Sequence, residues 1–183
     1  MSLVDFVNNF FSLSSIIAQA ISVVLLASLF SKTLRGSMFV SFFATRSILI
    51  AFIASSLAMA GSLTYSDVIG YAPCVLCWFQ RIFIYPQVFL TVVALYNRDL
   101  SIRLYGVVLS SIGAALALWH YLGQLGFGTL PCSAIGYSVS CAERFVMQYG
   151  YITIPMMALS AFLFILLSFA VSLKKDKDSI SSL

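Results

Sequence analysis

The sequence contains very little charge. Of its 183 residues only 9% are Asp, Glu, Lys or Arg, whereas 61% are hydrophobic, and the mean hydropathy is +1.03. An ordinary soluble domain carries about 25% charged residues, so that class is excluded. The composition indicates an integral membrane protein.

Residues that carry acid–base chemistry are also scarce. There is one histidine, His120, and the six Asp and Glu residues lie near the edges of apolar runs. The sequence shows no Ser/His/Asp triad, phosphate-binding loop or pair of carboxylates, so hydrolase functions are not indicated. The net charge of +4 comes from basic residues scattered over short loops, which excludes a nucleic-acid partner.

Five apolar runs are each close to the roughly 20 residues that cross a bilayer as a helix. They are Phe6–Ser31, Ser47–Ser66, Cys77–Tyr96, Leu104–Leu125 and Tyr151–Leu173. The sequence therefore predicts an all-α polytopic membrane protein with a four-helix transmembrane core and one extra N-terminal membrane helix. We expect residues 1–45 to form that helix and a basic cytoplasmic connector, residues 46–173 the core, and residues 174–183 a cytoplasmic tail. Asp5 and the lack of preceding basic residues argue against a cleaved signal peptide.

The basic residues predict the orientation. Eight of the ten lie on one side of the predicted spans: Lys32, Arg35, Arg46, Arg98, Arg103, Lys174, Lys175 and Lys177. An excess of Lys and Arg marks the cytoplasmic side, so all four cysteines are predicted to face outward. Arg81 and Arg144 do not follow this rule. Arg144, next to Glu143, is interpreted as a solvated loop charge, whereas Arg81 lies within a span, where charge is costly and usually functional.

The four cysteines form two pairs, Cys74 with Cys77 and Cys132 with Cys141. Outside the cytoplasm such pairs can be structural disulfides, and this remains one interpretation. A metal site is disfavoured because the spacings lack the symmetry of structural zinc sites and outward thiols tend to oxidise. A redox centre is the third interpretation, since thiolates at a helix start are stabilised by free backbone N–H groups and the helix dipole.

Arg81 and His120 are predicted to lie at the same depth. Arg81 precedes Arg98 by 17 residues and His120 follows Arg103 by 17 residues, which places both about 25 Å from the cytoplasmic edge. At that level a guanidinium and an imidazole can meet an amphipathic head group that carries oxygen atoms. A single histidine is, however, more often a packing residue, and most aromatic residues nearby fit an interfacial belt.

Taken together, these motifs make the chain resemble the bacterial disulfide-bond formation membrane proteins, the DsbB/BdbC family of thiol:quinone oxidoreductases, with the BdbC type most similar. The resemblance rests on Pro73-Cys74-Val75-Leu76-Cys77-Trp78-Phe79-Gln80-Arg81-Ile82 with Tyr85-Pro86, on Trp119-His120-Tyr121-Leu122-Gly123-Gln124, on the loop with Cys132 and Cys141, and on Gly150-Tyr151-Ile152-Thr153-Ile154-Pro155. The segment through Thr45 lies outside the four-helix core of that family.

The resemblance implies an electron relay in a bacterial cytoplasmic membrane. A soluble thioredoxin-like dithiol oxidase would form a mixed disulfide with Cys132, and the released Cys141 would attack Cys74. Cys77 would then be the thiolate that contacts a lipid-dissolved quinone, ubiquinone or menaquinone. The loop must move for this exchange, and Gly126, Gly128 and Gly136 are candidates for the flexible positions.

The resemblance also implies cofactor-binding roles. Arg81 would stabilise negative charge on Cys77 and on the reduced ring, and His120 would belong to the quinone pocket. Two rival functions remain: a vitamin K epoxide reductase-like quinone reductase, and a non-catalytic membrane scaffold held by disulfides.

Overall fold

The structure is a computed structural model that describes residues 2–127 and 140–180. It contains seven α-helices in these ranges: α1 Leu3–Phe30, α2 Lys32–Arg35, α3 Met38–Thr45, α4 Ser47–Leu63, α5 Val75–Asn97, α6 Ile102–Gln124 and α7 Ile154–Ile180. The described residues form no strand, and their only β-type pairing joins Gln148 to Ile152.

Five of these helices are long and apolar enough to cross a membrane: α1, α4 with the π-helical turn Thr64–Val68 that continues it, α5, α6 and α7. The predicted all-α polytopic membrane fold is therefore confirmed. The largest difference is at the end of the chain, where α7 continues through the charged residues after Leu173.

The predicted basic connector between the first two spans folds into α2 and α3. The side chains of Ser31 and Ser37 start these helices by accepting hydrogen bonds from the backbone N–H groups of Leu34 and Val40. Serine is a preferred residue at such helix starts. Val40 of α3 is fully buried in one apolar cluster with residues of α1 and α7, so this segment packs against the bundle.

The four-helix core is formed by α4, α5, α6 and α7. Close contact between α6 and α7 depends on Gly113, because a Cβ atom there would lie 2.2 Å from Cε1 of Phe162. Small residues allow membrane helices to approach in this way. Across the α5–α6 interface, the Ser110 hydroxyl donates a 3.0 Å hydrogen bond to Oε1 of Gln87.

The extra helix α1 packs along α7. Its Gln19 side chain donates to Oγ of Ser160 over 2.8 Å and accepts from the Tyr151 hydroxyl over 3.1 Å. The buried face of α1 includes Ser12, Ser15 and Ser22, whereas its exposed face is rich in Phe, Leu, Ile and Val. This distribution suits a helix with lipid on one side and protein on the other.

The two ends of the bundle differ in chemistry. At the basic end, defined by the C-terminal part of α7, Arg35 pairs with Asp178 and Arg103 pairs with Asp176 over 2.8 Å. At the opposite end, which we call the cysteine end, α5 begins, α6 ends and residues 140–153 return the chain to α7. The candidate site lies there.

Candidate functional site

The Cys74–Cys77 pair is built into the start of α5. Cys74 is the residue immediately before the helix, with an extended backbone, and its Sγ accepts the backbone N–H of Cys77 over 3.3 Å. Pro73 precedes it, and this proline disfavours a helical backbone at Ala72, the residue before it. The sequence thus ends the connector and begins α5 at the first thiol.

The two thiols are close together but differently exposed. Their Sγ atoms lie 2.7 Å apart, and both cysteines are free. Cys74 is only 4% exposed, whereas Cys77 is half-buried. The pair is therefore in its dithiol state, with Cys74 enclosed by protein.

His120 of α6 joins Cys74 to the returning loop. Its Nε2 lies 3.7 Å from Sγ of Cys74 and 3.1 Å from the carbonyl oxygen of Cys141, and its Nδ1 lies 3.0 Å from the amide nitrogen of Gln80. Since that amide nitrogen only donates, Nδ1 accepts and the proton of a neutral ring is held on Nε2. His120 thus directs an N–H toward Cys74 and Cys141.

These contacts change the acidity of Cys74. The hydrogen bond from the Cys77 thiol, and after it the adjacent His120 ring, lower the pKa of Cys74 to about 5, although burial of the thiol opposes the shift. In the dithiol state of the structure, these contacts favour a thiolate at Cys74. The thiolate that the resemblance implies at Cys77 belongs to the later step in which this residue contacts a quinone, and it stays a prediction.

Arg81 lies one helical turn beyond Cys77 and is fixed by α4. Its Nε donates to Oγ of Ser62 over 2.9 Å and its Nη2 to the Ser62 carbonyl over 3.1 Å. Its guanidinium lies 5.0 Å from the ring centroid of Trp78 and 6.0 Å from that of Tyr85. Nη1 makes no hydrogen bond to the described residues, so it remains available to an oxygen atom of a ligand.

Two cavities meet at the CxxC pair. A small one of about 60 Å³ is lined by both thiols, His120, Gln124 and Cys141. A large one of about 450 Å³ has mostly apolar walls from α1, α4, α5 and α7, and Cys77, Gln80 and Arg81 contribute to its lining. Cys77 and Arg81 line both cavities, whereas Cys74 and His120 line the small one.

The second cysteine pair is described in part. Cys141 is 2% exposed and disulfide-bonded. Cys132 lies outside the described residues, as do Gly128 and Gly136, so its pairing with Cys141 and the predicted flexible positions stay predictions. Gln124 holds the returning loop against α6, since its amide donates to the Glu143 carbonyl over 3.0 Å.

Five of the six predicted site residues come together at the cysteine end: Cys74, Cys77, Arg81, His120 and Cys141. His120 was predicted to belong to a quinone pocket. It lies beside Cys74 and lines the small cavity at the CxxC pair, whereas the large apolar cavity is lined by other residues. Its place in a quinone pocket stays a prediction.

Sequence reasoning missed Gln80 and Ser62, which orient His120 and Arg81. Gln80 carried a detectable signal, because a glutamine within an apolar span is expected to face the protein interior. Arg144, interpreted as a solvated charge, is exposed but also donates to the Gln124 carbonyl.

One group of the described residues could also hold a metal ion. It consists of Cys74, Cys77 and His120, whose ligand atoms lie within 4.8 Å of one another. Two thiolates bound to one tetrahedral zinc ion lie about 3.8 Å apart, as follows from Zn–S bonds of about 2.3 Å. The observed Sγ–Sγ separation of 2.7 Å is shorter and fits a pair poised to form a disulfide better than a zinc site.

Comparisons with known proteins agree with this geometry. The family model "Disulfide bond formation protein DsbB" matches residues 44–173. The chain is 42% identical over 119 residues to a "Probable disulfide formation protein" of Oceanobacillus iheyensis, covering 64% of this chain and 82% of the relative. It is 37% identical over 131 residues to "Disulfide bond formation protein C" of Bacillus subtilis, covering 70% and 92%.

A third relative is the "SPbeta prophage-derived disulfide bond formation protein B" of Bacillus subtilis, which is 40% identical over 126 residues, or 69% of this chain and 82% of the relative. No solved structure matches the chain significantly. The matched residues include α4, α5, α6, the larger part of α7 and all four cysteines. The chain therefore belongs to the DsbB family of membrane disulfide bond formation proteins.

Proposed function

We propose that the protein is a thiol:quinone oxidoreductase that reoxidises a thioredoxin-like dithiol oxidase outside the cytoplasm. One observation carries this proposal: the two thiols of the CxxC pair have different surroundings. Cys74 is enclosed with His120 next to Cys141, whereas Cys77 lines an apolar cavity together with Arg81. A relay from aqueous thiols to a lipid-soluble acceptor requires such a division.

The first step would be exchange at the Cys132–Cys141 disulfide that the family resemblance implies. A thiolate of the partner attacks Sγ of Cys132, the Cys132–Cys141 bond breaks, and Cys141 leaves as a thiolate. The second thiol of the partner then attacks the mixed disulfide and releases Cys132. The partner gains a disulfide, and the pair in this protein holds two electrons and the corresponding protons.

The second exchange moves these electrons to the CxxC pair. The Cys141 thiolate attacks Sγ of Cys74 in an oxidised Cys74–Cys77 disulfide, and Cys77 leaves as a thiolate. The direction of attack is supported by the His120 N–H, which bridges the Cys141 carbonyl and Cys74. The Arg81 guanidinium, one helical turn after Cys77, stabilises the leaving thiolate. Cys132 then attacks Cys141, which frees Cys74 as the second thiol of the CxxC pair.

The large cavity fits a quinone. Its volume of about 450 Å³ is within the range of about 300 to 1,000 Å³ that is usual for ligand pockets, and its polar groups are concentrated around Cys77, Gln80 and Arg81. A quinone held there would accept two electrons and two protons from the dithiol and restore the Cys74–Cys77 disulfide. Arg81 Nη1 is positioned to donate to a ring oxygen.

His120 has a different role in this proposal from the one that the resemblance implies. It would hold Cys74 and Cys141 in register and stabilise the Cys74 thiolate, because its Nε2 contacts both residues and its Nδ1 is fixed by Gln80. It is thus a positioning residue for exchange between the two cysteine pairs.

The orientation is part of the proposal. The basic end carries Arg35, Arg103 and the lysines of α7, and the positive-inside rule assigns such an end to the cytoplasm. The cysteine end would then face outward from a bacterial cytoplasmic membrane, where a soluble dithiol oxidase reaches the loop and a quinone arrives from the bilayer.

The test combines purified protein, a quinone and a reduced thioredoxin-like dithiol protein. Quinone absorbance and the free thiols of the partner are followed together. We expect one quinone to be reduced for each disulfide formed, and no reduction with a Cys77→Ala variant. Disulfide formation without quinone consumption would contradict the proposal, and turnover of a quinone epoxide in its place would favour the vitamin K epoxide reductase-like alternative.

A further inference from the structure

The apolar cavity has one wall outside the family-matched part of the chain. The family model covers residues 44–173, yet helix α1 supplies six lining residues: Phe11, Ser14, Ser15, Ile17, Ala18 and Ile21. These positions repeat at intervals of three and four, so they share one face of the helix. This face, which extends from the buried Ser15 to the exposed Ile17, borders the cavity.

Helix α1 is anchored at both ends of this face. Near the cysteine end, Phe11 lies so close to α4 that a Cβ atom on Gly61 would be 2.9 Å from its ring. Further along, Gln19 bonds to Ser160 and Tyr151. At the basic end, Lys174 of α7 donates to the Leu29 carbonyl of α1, and the buried Arg35, which follows α1, pairs with Asp178 of α7. The wall is thus a fixed part of the bundle.

The cavity is long as well as apolar. Along α4 its lining extends from Ser62, which holds Arg81, to Ile50, and these 12 residues correspond to about 18 Å of helix. Polar redox groups occur at the Ser62 end, while Ile21, Phe43, Ile50 and Phe164 line the other end. A quinone ring alone would fill only the first part, whereas a linear apolar chain attached to it matches the remainder.

We propose that α1 forms one wall of a binding site for the isoprenoid tail of the quinone, and that this site makes the protein selective for long-tailed quinones. The proposal rests on the proposed quinone function. It is supported by the continuity of the apolar cavity with Cys77 and Arg81 and by the position of Ala18, midway along the α1 wall. The isoprenoid tail of a quinone in the bilayer is already in apolar surroundings, so the gain in affinity comes from close packing of the tail in the cavity.

The test compares the same substitution on two faces of α1. Ala18→Phe places a ring in the cavity, and Ala20→Phe places it on the exposed face. The dissociation constants of a long-tailed quinone and of its tailless analogue are measured by quenching of Trp78 fluorescence, in a Trp119→Phe background, alongside turnover with each quinone. Trp78 is a suitable reporter because it packs on Arg81.

We expect wild-type protein to bind the long-tailed quinone about tenfold more tightly than the tailless one, a difference of about 1.4 kcal/mol. Ala18→Phe should remove that advantage and leave the tailless quinone unchanged in binding and turnover, and Ala20→Phe should change neither. If Ala18→Phe loses turnover with both quinones, Ile21→Phe, which enters the same cavity one turn farther from Cys77 and Arg81, replaces it.

Equal binding of both quinones by wild-type protein, with normal turnover, would overturn the tail site while leaving the proposed function intact. The same conclusion would follow if a phospholipid co-purifies with wild-type protein and is lost in Ala18→Phe, since the cavity would then hold an acyl chain. Failure of wild-type protein to bind or reduce either quinone would overturn the proposed function itself, and with it the tail site.

Discussion

The surroundings of Cys74 and Cys77 differ more than their separation of three residues would imply. On the Cys74 side, a small cavity of about 60 Å³ contains an imidazole with both ring nitrogens in hydrogen bonds. On the Cys77 side, a cavity of about 450 Å³ is mostly apolar and is lined by Arg81, which together with Cys77 also borders the small cavity. One short helix start therefore separates surroundings suited to thiol exchange from surroundings suited to a lipid-soluble ligand.

This difference arises from the helix geometry. Cys74 precedes the first turn of α5 and points toward α6 and the returning loop, where His120 and Cys141 lie. Cys77 is already helical and shares a face with Arg81, one turn later. A disulfide between them would join the two surroundings directly, which explains how electrons could pass between water-soluble and membrane-soluble carriers without movement of α5.

The largest effect is expected from removing either thiol, and the two removals should trap different species. Cys77→Ala should abolish quinone reduction but still allow a Cys74–Cys141 disulfide, because Cys74 lies beside Cys141. Cys74→Ala should also abolish turnover, without forming a Cys77–Cys141 disulfide. Non-reducing peptide mapping distinguishes the products. If Cys74→Ala forms a Cys77–Cys141 disulfide in a yield comparable to that of Cys74–Cys141 in Cys77→Ala, the two thiols do not have separate roles.

Arg81→Ala should act through Cys77, by slowing quinone reduction and the departure of the Cys77 thiolate during exchange. Removing one donor that stabilises developing negative charge commonly costs about a hundredfold or more in rate, so we expect quinone reduction to fall by about that factor. Formation of both disulfides in the oxidised protein should be unaffected. Arg46→Ala, at the basic end, is the matched control. Unchanged quinone KM and kcat in the Arg81 variant would show that this arginine has a purely structural role.

His120→Ala should affect only the Cys74 side. Hydrogen bonds to charged groups contribute about 1.5 to 3 kcal/mol, so exchange between Cys141 and Cys74 should slow by about tenfold or more, while the affinity for a tailless quinone stays constant. The pKa of Cys74 should rise from about 5 toward its ordinary value. This pKa is measured from the thiolate absorbance as a function of pH, with the Cys74→Ser variant as the blank.

The lowered pKa of Cys74 also makes the stability of the fold depend on pH. The pKa of Cys74 is lower in the folded dithiol protein than the ordinary thiol value of about 8.5. The thiolate therefore stabilises the fold fully above that value, and the contribution declines as the pH falls and is lost below about 5. A flat unfolding profile of the reduced wild-type protein between these pH values would contradict the assignment.

The smallest effect is expected at Ser62, which orients Arg81 without touching either thiol. Ser62→Ala removes one neutral acceptor from Nε of Arg81. Such a bond is worth about 0.5 to 1.5 kcal/mol, so quinone KM should rise by about threefold and the pKa of Cys74 should not change. Ser111→Ala is the control, because among the described residues the Ser111 hydroxyl donates to the Val107 carbonyl of its own helix and to no other group. A loss as large as that of Arg81→Ala would mean that Ser62 has another role.

Much of this arrangement is readable from the sequence. The five spans follow from runs of apolar residues, and the spacing of Cys74, Cys77 and Arg81 places them on neighbouring turns. The helices α2 and α3 also had a signal, since Ser31 and Ser37 are typical helix-capping residues, but the short basic segment was interpreted as a connector.

The position of α1 could not be read in the same way. In a membrane the apolar face of a helix does not reveal its partner, because lipid and protein are equally apolar. The specific contacts of α1 depend on Gln19, Ser160 and Tyr151, which are distant in sequence. The contacts of His120 could not be predicted for a related reason. The position of a residue along a helix gives its depth in the membrane, whereas its neighbours depend on how α5 and α6 are rotated against each other.

The most direct test of the account is protection of each thiol by quinone. Reduced variants that retain only Cys77 or only Cys74 of the pair are treated with an apolar maleimide, with and without quinone, and the modification rate is measured by mass spectrometry. The account predicts that quinone protects Cys77 and leaves the slow modification of Cys74 unchanged. Protection of Cys74 with no protection of Cys77 would contradict it.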